Sequence, residues 1–525
     1  MQDNPIFDLL VIGGGINGTG ITCDAAGRGL SVLLAEQGDL AGATSSASSK
    51  LIHGGLRYLE YGEFRLVREA LLEREVLLAK APHIIWPLRF VLPHQMTARP
   101  AWLIRTGLFI YDYLGRNQQL PDSQGIDLRR HPAGKPLKDT IRKGFVYSDC
   151  WTDDARLVVL NAMAAAERGA RIRTRTRVTA AKRVDGLWEA RLTDSEDGHE
   201  ETVRARLVVN TAGPWVRTVL DDVAHLPSAS RVRLVKGSHL VVPRLHDGEQ
   251  AYILQNVDKR IIFVLPYEGN FSLIGTTDVS FTGDPAKVAM DAAEAEYLCA
   301  AVNRYFAKPI SPADVVWSYA GVRPLYDDAS DNPSAVTREY VLELDLGDGA
   351  APLLSVFGGK ITTYRSLAEN VMDKIRRFFP AMGQAWTWSA PLPGGDMPGA
   401  SFTHLLDDLG KAYPRLEPSF LTAVARRHGT RAYRVLGDAK EAADLGADFG
   451  AALSAREIDY LVAEEWARTP EDVLWRRTKC GLHMDEAGRQ AVAGYMASSR
   501  SAKSVNTPST PQANKDSPKA RSFTV

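Results

Sequence analysis

Residues 7–36 read FDLLVIGGGINGTGITCDAAGRGLSVLLAE. An apolar run, Phe7 to Ile12, meets Gly13-x-Gly15-x-x-Gly18, and a stretch of small residues follows. A second apolar run, Ser31 to Ala35, ends on the acid Glu36. The pattern predicts a strand, a glycine turn, a helix and a parallel strand with a carboxylate at its tip. Gly13 permits the sharp turn, Gly15 lets the backbone approach a pyrophosphate, and Gly18 lets the helix pack close to the strand. The helix start, at Ile16 and Asn17, offers N–H groups and a partial positive charge to phosphates. Glu36 can accept hydrogen bonds from ribose hydroxyls and disfavours a 2′-phosphate. FAD or NAD is therefore expected rather than NADP.

The chain around this unit has 525 residues, which implies two or three domains. Lys+Arg and Asp+Glu are both 63, so the net charge is zero, which argues against bulk electrostatic binding to nucleic acid. Cys23, Cys150, Cys299 and Cys480 are widely spread without a CxxC, so neither a metal site nor a disulfide framework is expected, and a reducing compartment is natural. The N-terminus lacks the pattern of a secretory signal, and no run of about 18 apolar residues is present to span a bilayer. Residues 101–114, AWLIRTGLFIYDYL, read as a partly buried or interfacial helix.

Further along, helices are expected over about 63–80 and 153–168, the second capped by Asp153 or Asp154. Strands are expected at 171–178, 188–193, 207–210, 231–242, 251–267, 271–276, 339–345 and from 353, while 82–145 looks less regular. Pro391 to Gly399 reads as a linker, 403–497 is helical in pattern, and the last 25 or so residues are polar and low in complexity, as disordered segments are. The expected fold is α/β within a multidomain α+β chain, with a discontinuous Rossmann-like unit from 1–80, 146–220 and 320–380. A substrate-binding unit is drawn from 81–145 and 221–319, a helical unit from 390–498 and a tail from 499–525.

Three later loops carry chemistry. The segment 42–55, GATSSASSKLIHGG, supplies hydroxyls from Thr44, Ser45, Ser48 and Ser49, a cation at Lys50, an imidazole at His53, and Gly54 and Gly55. With Leu51 and other apolar residues interleaved, it suits a wrap around a pyrophosphate followed by close backbone approach to a flat ring. TAGPW, 211–215, ends an apolar strand. Gly358-Gly359-Lys360-Ile361-Thr362-Thr363-Tyr364 opens a helix after another, where N–H groups and Lys360 could stabilise negative charge on a reduced flavin. The following helix is basic and amphipathic. It either packs on its own sheet or lies on a membrane surface. Arg57, Arg323 and Arg338 sit among apolar residues near these loops and suggest an anionic substrate. His53 and His239 are candidate general bases for a hydroxyl proton.

VIGGGINGTG, TSSASSKLIHGGLRYLE, EFRLVREAL, YSDCWTDDARL, NTAGPW, KGSHLVVP, FVLPYEGNFSLIGTTD, GVRPL and SVFGGKITTYR occur in this order. From about Phe7 to Arg477 the chain resembles the FAD-dependent, respiratory glycerol-3-phosphate dehydrogenases of bacteria. The resemblance implies a flavin domain of the D-amino-acid-oxidase type, an antiparallel substrate sheet and a helical C-terminal domain. It further implies oxidation of sn-glycerol 3-phosphate by FAD, electron transfer to a ubiquinone-type quinone, peripheral attachment to the cytoplasmic face of the inner membrane, and a homodimer. Cofactor contacts are implied at Val178, Ala212, Gly213, Trp215, Gly275, Thr276, Gly359, Lys360, Ile361 and Thr362. Arg57, Tyr58, His239, Arg323, Arg338 and Lys360 are implied around the substrate: Arg57 and Arg338 on phosphate, Arg323 and Lys360 near the reacting carbon, and His239 on the C2 hydroxyl. A glycerol-3-phosphate oxidase using oxygen and an amine or amino-acid oxidase are the alternatives.

Overall fold

A computed structural model describes residues 5–94, 100–115, 120–228, 230–258, 260–326, 340–347 and 350–505, with side chains to 499. The opening stretch folds as strand Ile6–Ile12, helix Ile16–Gly27 and strand Val32–Ala35, the two strands parallel. They lie in an eight-stranded sheet whose central order is Val341–Asp345, Leu353–Phe357, Glu200–Asn210, Ile6–Ile12, Val32–Ala35 and Arg171–Arg173. All neighbours on this path are parallel except the outermost pair, 341–345 with 353–357. The hairpin Thr176–Val184 and Leu187–Asp194 joins along the first half of Glu200–Asn210. The register explains where a ligand can sit. Ile12 pairs with both Ala35 and Asn210, and Asn210 pairs with Ser355. The turns at Gly13, Glu36, Thr211 and Gly358 therefore all leave the sheet at one edge, where open parallel sheets bind ligands.

Helices Ile16–Gly27, Asp154–Ala166 and Tyr364–Ile375 pack together on one face of this sheet. Asp153 caps the second by accepting the Arg156 N–H at 3.1 Å, a bond worth about 1 kcal/mol at such sites. The third turns Leu367, Ala368, Val371, Met372 and Ile375 inward, so its apolar stripe covers its own sheet and not a membrane. The C-terminal helices Phe402–Ala412, Pro418–His428 and Ala455–Glu464 place Leu409, Leu421 and Leu461 in the same continuous core.

The second sheet has ten strands, with path Val279–Ser280, Val232–Pro243, Phe271–Gly275, Ile261–Tyr267, Ala251–Gln255, Ile85–His94, Lys143–Thr152 and Leu51–Ile52. Trp317–Tyr326 joins on Val232–Pro243, and Gln124–Asp127 on Lys143–Thr152. It is antiparallel except for one parallel pair, Ala251–Gln255 with Ile85–His94. Helix Ala292–Asn303 covers one face, and helices Phe64–Lys80 and Ala101–Leu114 cover the other. Two expected boundaries need correction. Positions 146 and 320 fall inside strands Lys143–Thr152 and Trp317–Tyr326, and both strands belong to the second sheet. Apolar alternation marks a strand but does not say which sheet it joins. The region 82–145 holds two of these strands and a helix, so it is more regular than its Pro and aromatic content suggests. The last helix, Glu486–Val505, runs past the expected start of the tail, and 506–525 lie outside the described residues.

Candidate active site

A cleft of about 720 Å³ opens along the edge where the parallel strands end. Gly13, Gly15, Ile16, Asn17, Glu36, Thr44, Ser45, Lys50, Val178, Ala212, Gly213, Trp215 and Gly359 all line it. Gly13 has φ +110, a conformation that side chains resist. A Cβ on Gly18 would lie 1.9 Å from the Gly13 carbonyl oxygen, so the helix could not start so close to the turn. Glu36 accepts the Gly14 N–H at 2.6 Å and the Gly38 N–H at 2.7 Å. Its burial raises the carboxyl above the ordinary range despite those two bonds. The Ile16 N–H is held by Ser45 Oγ at 3.0 Å, which ties the serine-rich loop to the helix start. Asn17 donates to the Gly358 carbonyl at 3.1 Å, while its buried Oδ1 has no hydrogen-bond partner among the described residues. A cleft with a glycine turn, a helix N-terminus, a carboxylate and an orphaned amide oxygen fits an adenine dinucleotide such as FAD.

The serine-rich loop is the seam of the site. Thr44 Oγ1 donates to the Val322 carbonyl at 2.6 Å, Ser49 Oγ lies 2.9 Å from His239 Nε2, and the His53 N–H reaches Thr362 Oγ1 at 3.3 Å. Residues more than 180 positions apart are thereby joined to one loop. Lys50 lines the cleft and is also paired within the protein. Its Nζ sits 2.8 Å from Asp154 and 3.1 Å from the Ser46 carbonyl, and the side chain is 1% exposed. Ser48 Oγ shares Asp154 at 2.7 Å. Lys50 therefore stiffens the loop, and its charge is matched by Asp154. Leu51, Gly54 and Gly55 follow, with the Gly54 N–H given to Tyr111 at 2.8 Å.

His239 is buried, stacks on Tyr319 with ring centroids 4.8 Å apart, and has Nδ1 without a hydrogen-bond partner among the described residues. Burial, then the charges of Arg323 and Lys50, hold its pKa well below the ordinary histidine value, so the ring is neutral. Arg323 is bound by Asp278 and by Thr276 Oγ1 at 3.1 Å, which follows Gly275 at the end of its strand. Its positive charge is therefore largely matched within the protein. Lys360 Nζ lies 4.0 Å from the Tyr58 ring centroid, so two expected substrate residues do meet. Neighbouring Arg57 extends along a half-buried turn, 3.4 Å from the Tyr61 hydroxyl. Ile361 and Thr362 form the turn that leads into helix Tyr364–Ile375. Arg338 lies outside the described residues.

The structure adds wall residues to which the sequence reading gave no site role: Arg175, Trp317, Tyr319, Asp472, Trp475 and Arg476. Trp317 and Trp475 stack at 4.8 Å and close the cleft from the second sheet and the C-terminal helices together.

Comparison with known proteins agrees with this geometry. The model of the family "FAD dependent oxidoreductase" matches residues 8–365, and that of the "C-terminal domain of alpha-glycerophosphate oxidase" matches 385–501. The chain is 55% identical to the D-erythritol 1-phosphate dehydrogenase of Brucella abortus, over 94% of this chain and 98% of that protein. It is also 55% identical to the glycerol-3-phosphate dehydrogenase of Pseudomonas aeruginosa, over 94% and 95%. Among solved structures, the glycerol-3-phosphate dehydrogenase of Bacillus halodurans complexed with FAD superposes with a TM-score of 0.76 at 28% identity, covering 94% of this chain and 91% of that one. The chain belongs to the family of FAD-dependent glycerol-3-phosphate dehydrogenases.

Proposed function

We propose that this chain oxidises the C2 hydroxyl of sn-glycerol 3-phosphate to the ketone of dihydroxyacetone phosphate and passes the electrons to a ubiquinone-type quinone in a membrane. The observation that carries this reading is the serine-rich loop, which joins the cleft to Ser49–His239 on one side and to His53–Thr362 on the other. A bound FAD supplies the hydride acceptor. His239 takes the hydroxyl proton. Nδ1 is buried, so Nε2, beside Ser49 Oγ, is the nitrogen placed to take it, in a ring that burial keeps neutral. Arg57 and Arg338 bind the phosphate through charge-assisted hydrogen bonds. Lys360, held over the Tyr58 ring, supplies positive charge near the reacting carbon, and Arg323, matched by Asp278, acts as an oriented donor.

The test is anaerobic titration with glycerol 3-phosphate followed by a soluble quinone. Bleaching of the flavin and its recovery with quinone support the reading, and unchanged flavin absorbance at saturating substrate ends it. Hydrogen peroxide formed with oxygen at the quinone rate would make the chain an oxidase. The relative named for D-erythritol 1-phosphate is as similar as the one named for glycerol 3-phosphate. A four-carbon polyol phosphate, with the same phosphate ester beside hydroxylated carbons, is thus the second reading, and kcat/KM for the two substrates separates them.

Among the described residues no helix is long and apolar enough to cross a membrane. Helix Ala101–Leu114 instead supports peripheral attachment. Trp102 is 70% and Phe109 62% exposed, with Leu103 and Tyr113 exposed beside them and Tyr61 and Phe64 on the adjoining turn and helix. Arg65, Arg68 and Arg105 are exposed on the same elements. Aromatics flanked by arginines suit the anionic face of a bilayer, in this reading the cytoplasmic face of the inner membrane. Co-sedimentation with anionic vesicles that is lost on the double change Trp102→Ser and Phe109→Ser supports this surface. Undiminished binding removes it.

A further inference from the structure

The adenosine-side loop of the cleft is held from a distance. Asp39, three residues beyond Glu36, is almost fully buried. It accepts Arg477 Nη1 at 2.7 Å and Nη2 at 2.8 Å, and Arg476 Nε at 2.6 Å. Asp472, also buried, accepts the N–H groups of Arg468 at 2.7 Å and Thr469 at 2.9 Å, and its other partners are Arg175 and Arg476. Arg477 is fixed in turn by the Glu465 carbonyl at 2.7 Å. One turn of the C-terminal helices, Asp472–Arg477, therefore grips the loop that begins at the ribose-binding acid. That loop is continuous with the glycine turn, because Glu36 accepts the Gly14 N–H and the Ala41 N–H donates to the Gly14 carbonyl at 3.1 Å. The grip also reaches the cleft itself, since Asp39, Arg175, Asp472, Trp475 and Arg476 line its wall. The three guanidinium groups of Arg175, Arg476 and Arg477 face the two carboxylates of Asp39 and Asp472.

We propose that the C-terminal turn Asp472–Arg477 is a cofactor-retention latch: Arg476 and Arg477 position Asp39, and through it Glu36, against the adenosine half of FAD. They are positioning residues, acting on the cofactor through Asp39. The proposal rests on FAD as the occupant of the cleft but not on which polyol phosphate is oxidised. Buried ion pairs of this kind are costly to break on one side, because the partner is left charged and unpaired in a low dielectric.

The test uses the full-length holoenzyme with Arg476→Ala and Arg477→Lys. On dilution, the return of free-flavin fluorescence reports FAD release. Both variants are expected to release FAD at least about 10-fold faster and to bind it at least about 10-fold more weakly, the scale of one lost charge-assisted hydrogen bond. The far-ultraviolet circular dichroism spectrum should be unchanged, so that faster release is not a loss of fold. A merely structural role would lower thermal stability while leaving the FAD release rate as in the wild type, and that result overturns the proposal. If Arg477→Lys does not fold, Arg476→Ala decides alone, because its loss leaves Asp39 with the bidentate Arg477 partner.

Discussion

At the adenosine end of the cleft, Gly13, Asn17 and Glu36 come from one unbroken strand–helix–strand unit, and backbone groups make most of the contacts. At the end proposed for the reaction, His239, Arg323, Lys360 and Tyr58 come from separate segments, and side chains make the contacts. The first end tolerates little change in shape, because its function lies in close backbone approach. The second tolerates changes in shape more readily than changes in chemistry. Variants at the two ends should therefore fail in different ways.

The largest effect is expected from Gly18→Ala, whose new methyl group has no space beside the Gly13 carbonyl. Its soluble fraction should carry no flavin, read as the ratio of flavin to protein absorbance, and a normal flavin content would break the account of the adenosine end. His239→Asn should keep its flavin while the rate of anaerobic flavin reduction falls by about 10²–10⁴, the usual scale for general base catalysis. His53→Asn should lose less than about tenfold on the same scale. If the two results are exchanged, the proton acceptor has been misassigned. Arg57→Ala should raise KM by roughly 10- to 100-fold with FAD retained and kcat little changed, as expected for a lost charged hydrogen bond. Flavin loss with unaltered KM would move Arg57 out of the substrate site.

The smallest effect concerns pH. The folded-state pKa of His239 lies well below the ordinary histidine value, so the folded chain favours the neutral ring and the unfolded chain binds the proton more readily. The stability from the neutral ring is complete above about pH 6.5 and is lost as pH falls below it. Between pH 8 and 5.5 the melting temperature of the wild type should fall by about 1 °C more than that of His239→Asn, and parallel curves would refute the depressed pKa.

Much of the adenosine end was legible in residues 7–36, because a glycine turn and a terminal acid are local requirements of the backbone. The serine-rich loop was legible as a site, but the ion pair of its lysine was not. A lysine among serines looks like a phosphate ligand until Asp154 is placed beneath it. The basic helix after Tyr364 shows the same limit. Its apolar period is real, yet only packing tells that the stripe meets the sheet, while helix Ala101–Leu114 leaves its aromatics exposed. The grip of Arg477 on Asp39 spans 438 positions and left no local signal at all.

The sequence by itself determined the dinucleotide turn, the kinds of element that follow it and the family, because these depend on backbone conformation and on the order of short motifs. Only the tertiary structure decided which charges are already matched, as in Lys50 with Asp154 and Arg323 with Asp278, and which remain for a ligand. It also decided which apolar face is covered. Ion pairing and burial belong to pairs of groups brought together across hundreds of residues, and no single segment carries that information.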